Sequence, residues 1–260
     1  MPARAIWKGV INFGIFGIPV KLYSAIQDRS VHFRLLHKKD KVPLRQAMIN
    51  PDTGEVVPHE DVLRGYKTPN DEMVILTAKD LEQLEPEASR DIEIINFLPV
   101  DLIDHRFYDR SYFLGPDADS DSYFSLISAL EYTGLEGLVR WVMRKKEYFG
   151  ALRLRGNYPV LITLRHAEQV VSIEGLAPPE SREFDNKEIK MAEQLLSALE
   201  EEFDPAQYHD DYRGRVMELI EKKSRGEKMN IRRIKPKKDQ PDLKKVLQAS
   251  LKQAGRRKSA

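Results

Sequence analysis

The 260-residue chain contains no cysteine and no long apolar run. Without cysteine it can form neither disulfides nor thiolate metal sites, which excludes a zinc ribbon and a disulfide-stapled secreted fold. A membrane helix needs about 18 consecutive apolar residues, and no such stretch occurs. These absences favour a cytoplasmic protein without a membrane span.

Sequence motifs of common catalytic sites are also missing. There is no Walker loop, no ligase adenylation motif, and no Gly-x-Ser-x-Gly elbow around any serine. The six histidines form no pair at metal-ligand spacing. Beside His59 and His209 the carboxylates occupy adjacent positions, which on a regular element point in different directions. We therefore predict no enzymatic activity, no metal and no cofactor.

The net charge of +1 conceals a strong asymmetry along the chain. Residues 228–260 hold twelve Lys or Arg against two Asp, a net +10, which leaves −9 for residues 1–227. A basic tail on an acidic body indicates contact with an anionic polymer or surface, although a tail that only aids solubility remains the alternative. The acidic body does not exclude DNA binding, because a binding surface can be locally basic.

The first 26 residues are the most informative segment. Arg4, Lys8 and the apolar stretch that follows resemble a secretory signal, but Asn12, Gly14, Gly17 and Pro19 interrupt that stretch. Two strands fit better, Arg4–Phe13 and Ile18–Ile26, joined by a turn over Gly14–Gly17.

The rest of the body, to about residue 175, reads as many short strands with a few helices, which favours a barrel or sandwich. A helix is predicted after Thr77, with Asp80 completing its cap, and another over Asp121–Tyr132 with Phe124 and Ile127 on its apolar face. Residues 135–155 fit a helix or strands equally well. The further strand candidates are Val31–Leu36, Glu72–Leu76, Ile92–Leu98, Ser111–Leu114, Pro159–Leu164 and Val170–Ile173.

Beyond residue 178 the pattern becomes helical. Asp185 begins one amphipathic helix that reaches Phe203, and Asp204-Pro205 begins a second that ends at Gly226. A third, short amphipathic piece lies in the basic tail after Pro241, and it is too short to be stable alone.

Clusters of basic residues near aromatic residues recur in the body. Such runs are commonly solvated faces, but several of them on strands or hairpins can also line a phosphate-contacting groove. The candidate phosphate contacts are Arg34, Lys38, Lys39, Arg45, Arg64, Lys67, Arg144, Lys145, Lys146, Arg153 and Arg155.

Several collinear motifs resemble bacterial Ku, the family that binds broken DNA ends. They begin with Ala3–Gly9 and Ile18–Ala25, and four further body segments and the helical pair follow in the same order. Those later segments are Val31–His37; Arg64–Lys67 with Val74–Thr77; Tyr112–Pro116 with Tyr123–Leu130; Leu138–Val170; and Met191–Pro205 with Tyr208–Arg213. The resemblance covers about residues 3–226. One departure is the loop after His37, where some relatives have cysteine and this chain has none.

The resemblance implies a mixed β/α fold, with a Ku-type β-barrel core, a strand-built bridge around DNA and a C-terminal helical arm. It makes strands of the ambiguous residues 140–155. The implied organisation is 1–183 for the barrel and bridge, 184–227 for the helical arm and 228–260 for the basic tail. It also implies a homodimeric ring on double-stranded DNA ends in non-homologous end joining, associated with the nucleoid in the cytoplasm.

The partner that the resemblance implies is ATP-dependent DNA ligase D. We expect it to dock on the apolar face of the tail, formed by Leu243, Val246, Leu247 and Leu251. Two other functions are kept as alternatives: a metal-dependent nucleic-acid-processing enzyme, and a structural protein that coats chromosomes without preference for ends.

Overall fold

The computed structural model describes residues 4–117, 120–176, 185–200 and 202–227. These residues divide into two compact units. The first takes in the residues up to 29 and 34–173, and the second takes in 30–33 and the residues from 174 onward. The tail from residue 228, and the predicted boundary at 183, lie outside the described residues.

Eleven strands occur in the described residues of the first unit, and seven of them close into a barrel. The strands are β1 (Trp7–Phe13), β2 (Phe16–Ser24), β3 (Met48–Ile49), β4 (Val56–Val57), β5 (Arg64–Lys67), β6 (Met73–Leu76), β7 (Asp91–Pro99), β8 (Tyr108–Pro116), β9 (Leu135–Met143), β10 (Lys146–Arg155) and β11 (Tyr158–Leu164). The order around the barrel is β1-β2-β8-β11-β10-β9-β7. All neighbours are antiparallel except β7 and β1, whose parallel pairing closes the barrel.

The barrel strands form where the sequence alternates between buried and exposed side chains. In β2, Ile18, Val20 and Leu22 are buried while their neighbours are not, which is the period of a strand with one face on a core. Gly14 has a φ of 59° at the first position of the two-residue turn that joins β1 to β2, a conformation that favours glycine. The predicted hairpin is therefore confirmed, with a shorter turn and a second strand that begins at Phe16.

The described residues also contain several one-turn 3₁₀ helices and four α-helices: α1 (Ala78–Glu82), α2 (Ser120–Thr133), α3 (Asn186–Leu199) and α4 (Asp211–Ser224). Helix α2 packs on the barrel core through Tyr123, Leu126, Ile127 and Leu130, spaced along one helix face. The Tyr123 hydroxyl also donates to a β8 carbonyl at 2.7 Å. The predicted apolar face was wrong at Phe124, whose side chain is 57% exposed.

Strand directions give the barrel two different ends. At one end of the barrel, β2 ends, β7 begins, and the turn between β9 and β10 is found. The turns between β1 and β2 and between β10 and β11 lie at the opposite end. The chain between β2 and β7, residues 25–90, therefore leaves and re-enters the barrel at the same end. We call this segment, apart from residues 30–33 of the second unit, the arm; it is distinct from the helical arm predicted over 184–227. The barrel end from which it leaves is the arm end, and the opposite one is the far end.

The arm contains two small hairpins, β3–β4 and β5–β6, and the short helix α1. The predicted cap of α1 is present. Thr77 Oγ1 accepts a hydrogen bond from the Asp80 backbone N–H at 3.2 Å, and the Asp80 carboxylate accepts one from the Thr77 backbone N–H at 2.8 Å. The strand predicted over Val31–Leu36 was wrong: that stretch has only an isolated bridge from Leu36 to Pro43. With no neighbouring strand along it, an apolar run alone does not form a ladder.

Two further predictions of secondary structure were wrong. Residues 170–173 form no strand, and Ile173 begins a one-turn 3₁₀ helix instead. The helix predicted from Asp204-Pro205 begins only at Asp211, because Pro205–Gln207 forms a separate 3₁₀ turn and Asp210 is the real N-cap. Residues 135–155 are the two antiparallel strands β9 and β10.

The described part of the second unit contains the two α-helices α3 and α4. Helix α3 begins after Asp185, which forms a capping box with Glu188, and ends at Leu199 rather than at the predicted Phe203. Phe203 instead stacks on Tyr208 in the connection, with ring centroids 5.4 Å apart. Within the described ranges, no helix has the length and hydropathy of a membrane span.

Candidate nucleic-acid interface

The structure sorts the candidate DNA contacts by their place on the first unit. Most belong to the arm or to the arm end of the barrel, and two lie toward the far end. The arm carries Arg34, Lys38, Lys39, Arg45, Arg64 and Lys67; the β9–β10 turn at the arm end carries Arg144, Lys145 and Lys146; Arg153 and Arg155 follow toward the far end. The four tail residues predicted to dock the ligase lie outside the described residues.

The first basic group of the arm lies in and beside a short turn. Main-chain bonds between His37 and Val42 fold residues 35–44 back on themselves, with Lys38 and Lys39 exposed at the tip. Asp40 is the acidic residue of this tip. The backbone N–H of Val42 and the His37 ring both hydrogen-bond to its carboxylate, which lowers its pKa. Lys38 and Lys39 are thus exposed, and the Asp40 carboxylate beside them is already hydrogen-bonded to other groups.

The second basic group of the arm lies on the β5–β6 hairpin. Lys67 pairs with Asp71 at 2.8 Å, and both side chains are well exposed, so the pair adds little stability. Arg64 is exposed and forms no ion pair within the described parts of the chain. Because side chains alternate along a strand, Arg64 and the exposed Tyr66 share one face of this hairpin.

The β9–β10 turn has an uncommon backbone. Arg144 and Lys145 have φ angles of 52° and 64°, left-handed values that a tight hairpin needs at both turn positions and that Asn-Gly normally supplies. Holding two long side chains there costs about 1–2 kcal/mol per residue. Lys145 is fixed by Glu85 at 2.9 Å, and this hydrogen bond raises the pKa of Lys145. Arg144 projects from the same turn without a partner among the described residues.

Arg153 is partly buried and lies between an exposed carboxylate, Asp101 at 3.9 Å, and a buried one. Its Nη1 lies 3.7 Å from an oxygen of Glu136, whose side chain is fully buried. The Tyr108 hydroxyl donates to the same carboxylate at 3.1 Å, and the Arg153 guanidinium lies over the Tyr108 ring. Burial, and then the charge of Glu136, raise the pKa of Tyr108. Arg153 is thus the counter-ion of a buried carboxylate, whereas Arg155 is exposed.

Sequence reasoning passed over Arg90, an exposed cation immediately before β7 at the arm end. It is isolated in the sequence, so no charge run marks it. Its carbonyl accepts a hydrogen bond from Val10 across the closing seam of the barrel at 2.8 Å, which fixes its backbone. Only the strand order reveals that Arg90 and the β9–β10 turn lie at one barrel end.

The arm also exposes many large apolar side chains. Its largest apolar side chains are between about one third and two thirds exposed. They are Ile26, Leu35, Leu36, Val42, Leu44, Met48, Ile49, Val56, Val62, Leu63, Tyr66, Met73, Val74 and Ile75, with Leu84 exposed still further. Exposed apolar side chains in such number are typical of an interaction site, and two-stranded hairpins are marginal alone.

Comparison with known proteins agrees with this architecture. The model of the Ku70/Ku80 beta-barrel domain matches residues 12–194. The chain belongs to the Ku family. It is 38% identical over 250 residues to non-homologous end joining protein Ku 2 of Geotalea uraniireducens, covering 96% of both chains. It is 34% identical over 259 residues to non-homologous end joining protein Ku of Mycobacterium tuberculosis, covering 96% of this chain and 95% of the relative.

A further relative is non-homologous end joining protein Ku of Heliobacterium modesticaldum, 36% identical over 229 residues and covering 87% of this chain and 83% of the relative. Membership of the Ku family makes the chain a Ku-type end-joining protein and implies DNA end binding in repair. The predicted family and the mixed β/α barrel fold are both confirmed.

Proposed function

We propose that this Ku protein binds double-stranded DNA ends without sequence preference, as a homodimeric ring whose two arms enclose the duplex. The observation that carries the proposal is the arm: it leaves the barrel, returns to the same end, and bears basic side chains together with exposed apolar ones. Phosphate contacts by exposed lysines and arginines carry no sequence information, as binding to arbitrary ends requires. The protein acts as a binder with no catalytic activity of its own.

A second copy of the chain is the natural partner of the apolar side chains of the arm. Small hairpins with exposed Met73, Val74 and Ile75 gain stability by burying those side chains against an identical surface. Most soluble oligomers are symmetric homodimers, and a two-fold axis suits the approximate dyad of a duplex.

A topological assay tests ring formation on DNA. The protein should bind linear plasmid and leave the covalently closed form of the same plasmid largely unbound, because a closed ring loads only at an end. The affinity for linear DNA should fall steeply with salt, with a slope near −0.9 for each phosphate neutralised. Equal affinity for linear and closed plasmid would refute the ring and would favour a chromosome-coating role.

The arm interface is tested by a charge substitution at an exposed apolar position. Ile75→Asp should convert the dimer to a monomer in analytical ultracentrifugation, because the new carboxylate would be buried unpaired in the dimer interface, at a high cost in free energy. Val171→Asp is the matched control, because Val171 is 81% exposed and lies outside the arm. A dimer that survives Ile75→Asp would show that this part of the arm does not form the interface.

For the tail, we propose that Leu243, Val246, Leu247 and Leu251 bind DNA ligase D and that the neighbouring lysines add non-specific DNA affinity. The support is the sequence pattern of a basic amphipathic segment. Deleting residues 228–260 should abolish stimulation of the ligase and leave end binding largely intact. Loss of end binding in the deletion would make the tail primarily a DNA clamp. Association with the nucleoid follows from the DNA binding proposed here.

A further inference from the structure

A groove at the arm end of the barrel has the chemistry of a nucleotide site. It has a volume of about 370 Å³ and is lined by Trp7, Pro86, Ala88, Arg90, Arg144 and Lys145, together with two neighbouring residues. Most of its lining is apolar and includes an indole, and three cationic residues contribute to it. This volume lies within the range of small-ligand sites.

The floor of the groove is built by close packing at the start of β1. A Cβ atom on Gly9 would lie 2.3 Å from Cζ3 of Trp7 and 2.7 Å from the Arg90 carbonyl oxygen. The Trp7 ring therefore lies across Gly9, beside the main chain of Arg90, and only glycine allows this approach. The indole is partly buried, so its orientation is set by the barrel.

The charged part of the groove keeps two cations available. Lys145 is paired with Glu85 at 2.9 Å, so its charge is largely compensated. Arg90 and Arg144 are exposed and form no ion pair within the described ranges. The two-residue turn fixes the backbone of Arg144 and Lys145, and both side chains line the groove.

We propose that this groove binds a nucleotide of an unpaired strand at a DNA end. The base stacks against the Trp7 indole in the apolar part of the groove, and its phosphate contacts Arg90 and Arg144. Stacking on an aromatic ring accepts any base, so the site would engage overhangs without reading their sequence. The inference rests on the proposed end binding and extends the contacts from the duplex to the single-stranded overhang at its end.

The test compares two DNA duplexes, one blunt and one carrying a short oligo-dT overhang. The intact protein should bind the overhang duplex about fivefold more tightly, the low end of one stacked base. Arg90→Gln and Trp7→Leu should each remove most of this preference while blunt-end affinity is retained. Lys187→Gln, an exposed charge removal on α3, should leave both affinities unchanged.

A second readout reports stacking directly. With 2-aminopurine as the first unpaired base, binding should quench its fluorescence in the intact protein and in Lys187→Gln, and much less in Trp7→Leu. If Trp7→Leu does not fold, Arg90→Gln and the quenching of the intact protein decide the outcome. Equal affinity for the two duplexes, or a preference that survives Arg90→Gln, would overturn this inference alone; failure to bind either duplex would overturn the proposed end binding.

Discussion

Removing Arg153 should destabilise the barrel far more than it weakens DNA binding. Glu136 is 0% exposed, and its carboxylate has Arg153 Nη1 at 3.7 Å and the Tyr108 hydroxyl at 3.1 Å. Arg153→Met strands this carboxylate in the protein interior with one hydroxyl donor. Breaking a fully buried ion pair costs about 3–5 kcal/mol. Because the Arg153 side chain is itself 26% exposed, we expect the lower bound, about 3 kcal/mol.

Thermal unfolding followed by circular dichroism measures this loss. A loss of about 3 kcal/mol lowers the Tm by roughly 6–12 °C for a domain of this size. The double variant Arg153→Met/Glu136→Gln should recover part of it, because no charge is then left buried and the amide still accepts from Tyr108.

The control for this prediction lies two residues along the same strand. Arg155 is exposed, so Arg155→Met should change stability by no more than about 0.5 kcal/mol. An Arg153→Met protein that unfolds at the original temperature but loses DNA affinity would refute the assignment of Arg153 to the interior.

Three further predictions concern backbone and charge. Gly150→Ala should destabilise the barrel by about 1–3 kcal/mol in denaturant titrations, because a Cβ there would lie 2.6 Å from an indole carbon and 2.7 Å from a carbonyl oxygen. The control is Gly214→Ala, in open space on α4, which should instead stabilise the helix by up to ~1 kcal/mol. Hydrogen bonds with Arg106 are the main cause that lowers the pKa of Asp104 to about 2. The ionised carboxylate therefore stabilises the folded protein at any pH above the pKa of Asp104 in the unfolded chain, and this stabilisation is lost as the pH falls through the lowered pKa of the folded protein. In Arg106→Gln, carboxyl NMR titration should find the Asp104 pKa raised but still below its usual value, because the backbone N–H of residue 106 still donates to the carboxylate. The stability contribution that is lost at low pH should shrink accordingly. Arg144→Asn should raise stability by about 0.5–1 kcal/mol, because asparagine tolerates a positive φ better, and should weaken DNA binding; an unchanged affinity would remove Arg144 from the interface.

Local sequence signals predicted the elements whose stability is local. The β1–β2 hairpin follows from alternation and Gly14, and the starts of α1 and α3 follow from Thr77 and Asp185. Two apolar runs misled because strands need partners: residues 31–36 and 170–173 have the composition of strands but lie beside no ladder. The start of α4 was missed because Asp204-Pro205 and Asp210 are both plausible caps: the first begins a separate 3₁₀ turn and the second begins the helix.

The sequence was enough to predict which basic residues are candidates, but not which of them lie together on one surface. Arg153 looks like Arg155 in sequence, and only the register of β9 against β10 places it beside the buried Glu136. Arg90 is the opposite case, a lone cation brought to the β9–β10 turn by barrel closure. Both distinctions depend on contacts between residues far apart in sequence, which a charge pattern does not encode.

The parallel seam between β1 and β7 also sets the order of events during synthesis. Val10 pairs with Asp91 across this seam, so the whole arm must be translated before the barrel can close. The first hairpin is complete at Ser24, so at about 5–20 residues per second the outer edge of β1 stays unpaired for roughly 3–13 s until Asp91 is made. The outer edge of β2 waits longer, because its partner β8 follows β7. Closure then depends on contacts of high sequence separation, which form slowly. The nascent chain is therefore most vulnerable to aggregation while the arm emerges from the ribosome, and chaperone binding to the first hairpin would matter most in that interval.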